Sequence, residues 1–251
     1  MTSSWRLAVG TLTALRWRHP AVVDRKVAGR AMLLAPLAVV PLGVLVGLIG
    51  WTGRELELAP LAVALVAVGA LALGSRALHL DGLSDVADGL TASYDRDRSL
   101  DVMKGGTAGP AGATALVVVL GIQAAALSAV LASPRGPVVA GILVCCSRAI
   151  LSVCCARGIP AARPDGLAVT YAGTVGRTWT VVTWLVVTLL CAGVLDWAGW
   201  PWWRGLVVAA AGLLVGAALT RRCVARFGGV TGDVFGAAIE VTLATMLVCA
   251  S

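Results

Sequence analysis

Ala111-Gly112-Ala113-Thr114-Ala115-Leu116-Val117-Val118-Val119-Leu120-Gly121-Ile122-Gln123-Ala124-Ala125-Ala126-Leu127-Ser128-Ala129-Val130-Leu131-Ala132 carries no charged side chain, and its apolar residues run on without alternating. A stretch of about 20 such residues, wound as a helix, crosses the hydrocarbon core of a bilayer. Working outward, six more windows read the same way: 31–50, 58–78, 137–156, 179–195, 203–220 and 234–250. Continuity rather than ten-residue alternation excludes barrel strands, so the spans are helices. The fold predicted is all-α, a polytopic transmembrane bundle of about seven spans. Composition agrees, because 59% apolar and 13% charged residues with a mean hydropathy of +0.90 cannot give a soluble core a charged skin. The first window follows roughly 30 polar and basic residues and ends in no small-residue cleavage site, so it reads as a retained span.

Lys and Arg, counted loop by loop, set the orientation. One side collects Arg6, Arg16, Arg18, Arg25, Lys26, Arg30, Arg76, Arg96, Arg98, Lys104, Arg157, Arg163, Arg177, Arg221, Arg222 and Arg226; the other holds Arg54, Arg135 and Arg204. Sixteen against three, with Arg148 inside a span, predicts a cell-membrane protein with its N-terminus and the 79–110 segment in the cytoplasm. The net charge of +7 is then chiefly a topology signal and an attraction to anionic lipid. No nucleic-acid module accompanies it. No linker divides the chain, so residues 1–251 read as one membrane domain. Seven cysteines without a CxxC spacing read as small buried hydrophobes. Trp197, Trp200, Trp202 and Trp203 mark the outer interface, and the glycines of 43–50 and 205–216 predict close helix contacts. The longer polar connections lie on the basic side, above all 79–110, and chemistry is expected there.

That segment opens His79-Leu80-Asp81-Gly82-Leu83-Ser84-Asp85-Val86-Ala87-Asp88-Gly89-Leu90. In a helix, Asp81, Asp85 and Asp88 fall at i, i+4 and i+7 and share one face. Like charges so placed repel unless a cation sits against them, and an all-oxygen set selects a hard ion, Mg²⁺ or Mn²⁺. A solvated acidic loop is the plainer alternative, but Leu80, Leu83, Val86 and Leu90 line the other side. His79, beside the acids, is a candidate proton acceptor for an attacking hydroxyl. Tyr94-Asp95-Arg96-Asp97-Arg98-Ser99 reads as a polar loop cap, with Arg96 and Arg98 also able to meet a phosphate.

A second acidic helix start follows Arg221 and Arg222: Gly228-Gly229-Val230-Thr231-Gly232-Asp233-Val234-Phe235-Gly236-Ala237. Thr231 and Gly232 place free backbone N–H groups where a phosphate can sit, although Thr231 can equally cap the helix. Asp233 shares a face with Glu240, which lies in a span and requires a partner; Arg148 is the candidate, unless it serves a substrate phosphate. Lys104, Arg148, Arg221 and Arg222 are the cations assigned to substrate. Two carboxylate sets, glycine turns and arginines on one side suit a diphosphate held by Mg²⁺ while a hydroxyl attacks phosphorus.

These residues resemble the adenosylcobinamide-GDP ribazoletransferases, also called cobalamin (5′-phosphate) synthases. The likeness rests on 79–90, on Asp97-Arg98-Ser99-Leu100-Asp101-Val102-Met103-Lys104 and on 228–237, with weaker matches at Leu12-Thr13 and Pro36 to Gly47. It implies a Mg²⁺-dependent membrane transferase joining adenosylcobinamide-GDP to α-ribazole or its 5′-phosphate with release of GMP, late in cobalamin assembly. In it His79, Asp81 and Asp85 are the catalytic candidates. Asp81, Asp85 and Asp88 would hold metal and diphosphate, Asp233 would assist, and the 5′-hydroxyl of ribazole would attack. Gly105-Gly106-Thr107-Ala108-Gly109-Pro110 lacks the acidic residue that the family pattern has there, so only its backbone is offered to a phosphate. A CDP-alcohol phosphatidyltransferase is the nearest rival, but Asp81-Gly82 is followed by Ser84-Asp85, with no Ala-Arg pair. A cation transporter would put acids near mid-membrane on several spans. The sequence leaves homo-oligomerisation open.

Overall fold

The computed structural model describes residues 2–16, 18 and 20–251. Helix α1 (Thr2–Leu12) is followed by α2 (Arg25–Leu33), α3 (Ala35–Ala38) and α4 (Val40–Glu55). The window 31–50 is therefore not one straight helix. Pro36 and Pro41 stand in the first turns of α3 and α4, where a missing N–H costs nothing, and each restarts the chain after Leu34 and Val39. Next come α5 (Pro60–Gly74) and α6 (Leu78–Ala92), set at 91° to each other. Arg76 and Ala77 make that corner with φ of 59° and 54°. Polar α7 (Arg96–Lys104) precedes the apolar α8 (Pro110–Leu131). Helix α9 (Gly136–Ser147) continues through a 3₁₀ turn at Arg148–Ile150 into α10 (Leu151–Cys154), and α11 (Leu167–Tyr171) is a short piece inside an irregular segment. The chain ends in α12 (Arg177–Trp197), α13 (Trp202–Phe227) and α14 (Gly232–Ala250).

Five of these units are long and apolar enough to cross a membrane: α8, α9 with α10, α12, α13 and α14; the bent α5–α6 pair makes a sixth if counted as one. The seven apolar windows map onto these five and onto α4 and α5, which have 16 and 15 residues. Large apolar side chains such as Val117, Leu189 and Leu214 point outward from the bundle, as lipid-facing positions do. The fold is that of a multi-pass membrane protein. Among the described residues no strand forms; two isolated bridges, Ala156 with Val175 and Ala161 with Val230, tie down the irregular segment.

Helix α14 is central, packing against α13, α6, α8 and α9. Small residues let backbones approach, as the sequence predicts for Gly43: a Cβ there would lie 2.5 Å from the Gly141 carbonyl oxygen. At the opposite pole from the polar helices, the Arg135 guanidinium lies 4.9 Å from the Trp197 ring centre and that of Arg204 lies 5.9 Å from Trp200. All seven cysteines are free and most are buried.

Candidate active site

The acidic motif forms a helix, and α6 carries Asp81, Asp85 and Asp88 as its spacing requires. Helix α6 is held against α14 by two backbone contacts that only glycine allows. A Cβ on Gly82 would lie 2.6 Å from the Asp233 carbonyl oxygen, and one on Gly236 would lie 2.8 Å from the His79 Cα. These contacts bring Asp81 and Asp85, near the start of α6, beside Asp233 at the start of α14. The two motifs, about 150 residues apart in sequence, thus form one acidic surface. Asp81 is exposed, while Asp85 and Asp233 are half-buried.

The electrostatics of that surface are unbalanced. Helix α6 turns away from the spanning axis, and on it burial pushes the Asp85 carboxyl up to about 6, assisted by the charges of Asp81, Asp233 and Asp88 and opposed by Arg163. Arg163, in the segment between α10 and α11, is the cation that faces Asp85 and Asp233. Its guanidinium donates to the Leu100 carbonyl. Sequence reasoning gave Arg163 only a place in the topology count, since nothing around it resembles a motif.

Asp88 behaves differently from its two helix partners. Its carboxylate accepts from the Gly109 N–H at 2.7 Å and the Gly112 N–H at 2.9 Å. Gly109 has no side chain with which to cap α8, so Asp88 caps that helix from α6, with a charge suited to the helix N-terminus. Both its oxygens are engaged, as is the glycine-turn amide that the sequence offered to a phosphate.

Thr231 caps α14, accepting from the Val234 N–H at 3.3 Å, and its hydroxyl donates to Asp233 Oδ2 at 3.1 Å. Gly232, Asp233, Thr231, Arg163 and Asp165 line a small cavity of about 150 Å³ beside the acids. Lys104, at the end of α7, sits 3.9 Å from Asp165 on the rim, an exposed pair of little energetic weight. Arg221 and Arg222 are exposed on the last turns of α13. Arg96 is a clamp, donating to the Phe227 and Ala162 carbonyls at 2.7 Å each, and so holds α7 to the end of α13.

One pairing differs from expectation. Glu240 is buried, and its direct partners are His79 and Gln123, not Arg148. His79 Nδ1 lies 3.4 Å from Glu240 Oε1, and Gln123 Nε2 donates to Oε2 at 2.7 Å. This polar knot joins α6, α14 and α8 one to two turns below the acidic surface, and His79 itself is buried within it. Arg148 is fully buried at the α9–α10 break, where it donates to Val144 O and Ser147 Oγ at 2.8 Å; its Nε and Nη2 have no hydrogen-bond partner. The 3₁₀ turn directs it along its own helix, which a straight-helix reading of 137–156 does not foresee.

Among the described residues no three His, Cys, Asp or Glu side chains stand close enough to hold a metal ion by themselves. The acids form an open surface rather than a closed cage. That fits Mg²⁺, which is commonly held by one or two carboxylates together with substrate phosphates.

Comparison with known proteins gives the same two motifs a context. Residues 4–251 match the family model described as cobalamin-5-phosphate synthase. A protein of Nocardioides sp. named adenosylcobinamide-GDP ribazoletransferase is 54% identical over 247 residues, covering 98% of this chain and 97% of that one. Proteins of the same name from Frankia casuarinae and Brucella anthropi are 39% and 38% identical, covering 98% and 82% of this chain and 93% and 79% of theirs. No solved structure matches the chain. With a family match over nearly its whole length and both of its acidic motifs converging on one surface, this chain belongs to the cobalamin-5-phosphate synthase family.

Proposed function

We propose that the chain is an adenosylcobinamide-GDP ribazoletransferase, a membrane enzyme of late cobalamin synthesis. The observation that carries this reading is the convergence of Asp81 and Asp85 with Asp233 on one acidic surface, in a chain similar over its full length to proteins of that name. An acidic surface repels a bare diphosphate and attracts one that is cation-bridged, which supports Asp81, Asp85 and Asp233 as the residues that would hold Mg²⁺. When bound, the ion neutralises the diphosphate. Asp88 stays in the set as the residue that fixes the start of α8 against α6.

A ribazole hydroxyl oxygen forms a bond to the phosphorus on the cobinamide side. The bond from that phosphorus to the bridging oxygen breaks, and GMP leaves with the electron pair. Asp81, exposed and with no hydrogen-bond partner among the described residues, is placed to take the hydroxyl proton. Arg163 and Lys104 at the cavity rim are suited to the departing phosphate. The attacking group is corrected by the chemistry: an acceptor that keeps its 5′-phosphate has no free 5′-hydroxyl, so a ring hydroxyl of the ribose attacks. The buried His79–Glu240–Gln123 knot positions α6. The cell membrane is the proposed location, with the acidic surface toward the cytoplasm, on the strength of the Lys and Arg count.

The test is GMP release from adenosylcobinamide-GDP by the purified chain, with α-ribazole or its 5′-phosphate as acceptor and Mg²⁺ titrated. Release that requires both acceptor and Mg²⁺ is expected. CMP release from a CDP-alcohol, without activity on adenosylcobinamide-GDP, would overturn the reading.

A further inference from the structure

A cleft of about 1090 Å³ opens between α2, the segment after α10 and the start of α12. Four cations line it: Lys26 and Arg30 from α2, Arg157, and Arg177 as the first residue of α12. No Asp or Glu belongs to its lining, and none of the four has a carboxylate within 4.0 Å among the described residues. Other arginines of the basic side are tied into the fold: Arg25 donates to the Gly173 carbonyl, Arg76 to that of Gly10 and Arg96 to that of Phe227. The side chains of Lys26, Arg30, Arg157 and Arg177 make no such bond among the described residues. Four like charges gathered without a counter-charge attract an anion.

Backbone contacts hold the cations in place. The Arg157 N–H donates to Val175 O at 2.8 Å and the Val175 N–H to Cys155 O at 2.9 Å, which pins two of the lining segments to each other. A Cβ on Gly29 would lie 2.7 Å from the Thr174 carbonyl oxygen, so α2 rests directly on that pair. Gly158, at φ +98°, lies beside the Arg177 guanidinium, whose Nη2 is 3.5 Å from its ideal Cβ position. An anion therefore meets charges that are already assembled.

Both walls pass from charged to apolar in the direction of the bilayer. On α2, Lys26, Gly29, Arg30 and Leu33 fall at i, i+3, i+4 and i+7 and share the face turned to the cleft. The cations come first and the leucine last, at the end from which the chain runs on into α3 and α4. On α12, Arg177 is followed by Trp179, exposed in the cleft wall, and then by Val182 and Val186, exposed three and seven residues further along the same side. Helix α12 is among the units long and apolar enough to cross a membrane. The indole thus stands at the change from charged to apolar, the level at which Trp anchors membrane proteins. A free anion would use only the charged half of this cleft. A phospholipid with an anionic headgroup matches both halves, its phosphate between the cations and a chain along the outward side of α12.

The cleft stands apart from the acidic surface. It shares no lining residue with the cavity beside Asp233, and a further cavity, lined by Arg157 and Arg163, separates the two. We propose that Lys26, Arg30, Arg157 and Arg177 bind the headgroup phosphate of an anionic phospholipid, which bridges α2 and α12 at the membrane surface. This site does not depend on the ribazoletransferase reading. Inorganic phosphate has the same charge chemistry without the chains, and the experiment separates the two.

The full chain, delipidated in dodecyl maltoside at about 0.15 M salt so that distant charges are screened, is titrated with phosphatidylglycerol, phosphatidylcholine or inorganic phosphate. Binding is read by native mass spectrometry and by the melting temperature, which a ligand of the folded state raises. Phosphatidylglycerol should bind wild type at least about tenfold more tightly than phosphatidylcholine. The R30Q/R177Q variant should bind phosphatidylglycerol about 10- to 100-fold more weakly, with its affinity for phosphatidylcholine within about twofold of wild type, and R30K/R177K should recover most of the loss. R221Q/R222Q removes the same charge from the exposed end of α13, outside the cleft, and should keep the preference for phosphatidylglycerol. An equal loss in both glutamine pairs, equal affinity for the two lipids, or a stabilisation by inorganic phosphate as large as that by phosphatidylglycerol would overturn the site. A phosphatidylglycerol with a photoreactive acyl chain tests the wild type by itself, whether or not the variants fold. Cross-links at Leu33, Trp179 or Val182 that excess phosphatidylglycerol removes and phosphatidylcholine does not support the cleft; cross-links only elsewhere, or removed equally by both lipids, overturn it.

Discussion

Asp85→Asn is expected to slow GMP release by about 10²- to 10³-fold, the usual cost of removing one preorganised electrostatic group from a reacting centre. Asp85 shares its surface with Asp81 and Asp233, the charges that, after burial, do most to raise its carboxyl to about 6. Asparagine keeps its size and removes the charge, so the apparent Mg²⁺ requirement should rise together with the loss of rate. Folding should survive, because relieving repulsion among three acids does not destabilise a helix. Measured across a Mg²⁺ titration, a rate near wild type at limiting Mg²⁺ would show that the acids do not serve the reaction.

Gly82→Val should have an effect of similar size by a different route. Its side chain would be built 2.6 Å from the Asp233 carbonyl oxygen and 2.8 Å from its Cα, and neither atom can move without displacing α14. The helices must separate, at a cost of about 1–3 kcal/mol for an overpacked contact. The separation also pulls Asp81 and Asp85 away from Asp233; an ångström of misplacement at a reacting centre costs about 10²-fold in rate. A lowered melting temperature in detergent accompanied by that loss of GMP release is the expected outcome. A stable, fully active Gly82→Val protein would show that the two motifs need not be in contact.

Much of this site was legible in the chain because its signals are local. The i, i+4, i+7 spacing of Asp81, Asp85 and Asp88 predicts a shared helical face, and α6 provides it. The Gly-Val-Thr-Gly-Asp turn predicts a helix start that either offers its amides to a phosphate or is capped by Thr231, and Thr231 does cap α14. The continuous apolar windows predict helices, and each one is helical, but α4 and α5 are shorter than their windows because Pro36, Pro41 and the Arg76–Ala77 corner interrupt them. What depended on distant partners was not legible. Asp88 turns from the acid surface to cap α8 because Gly109 and Gly112 present their amides to it, an arrangement set by tertiary packing alone. Glu240 takes His79 and Gln123 as partners because α6 and α8 flank α14, while the 3₁₀ turn keeps Arg148 on its own helix. Arg163 looked like a topology signal, and only the fold sets it against Asp85 and Asp233 in the wall of the small cavity.

The central claim is that the acids of α6 and α14 act as one unit in diphosphate chemistry, and a double-mutant cycle on GMP release tests it most directly. Asp85→Asn, Asp233→Asn and the pair are compared in the same membrane at saturating substrates. If the two carboxylates serve one unit, either change alone removes most of its function. The double variant should then be slower than the worse single variant by less than about tenfold, far short of the product of the two losses. Losses that multiply would mean that Asp85 and Asp233 act independently, and would contradict a single site at the α6–α14 contact.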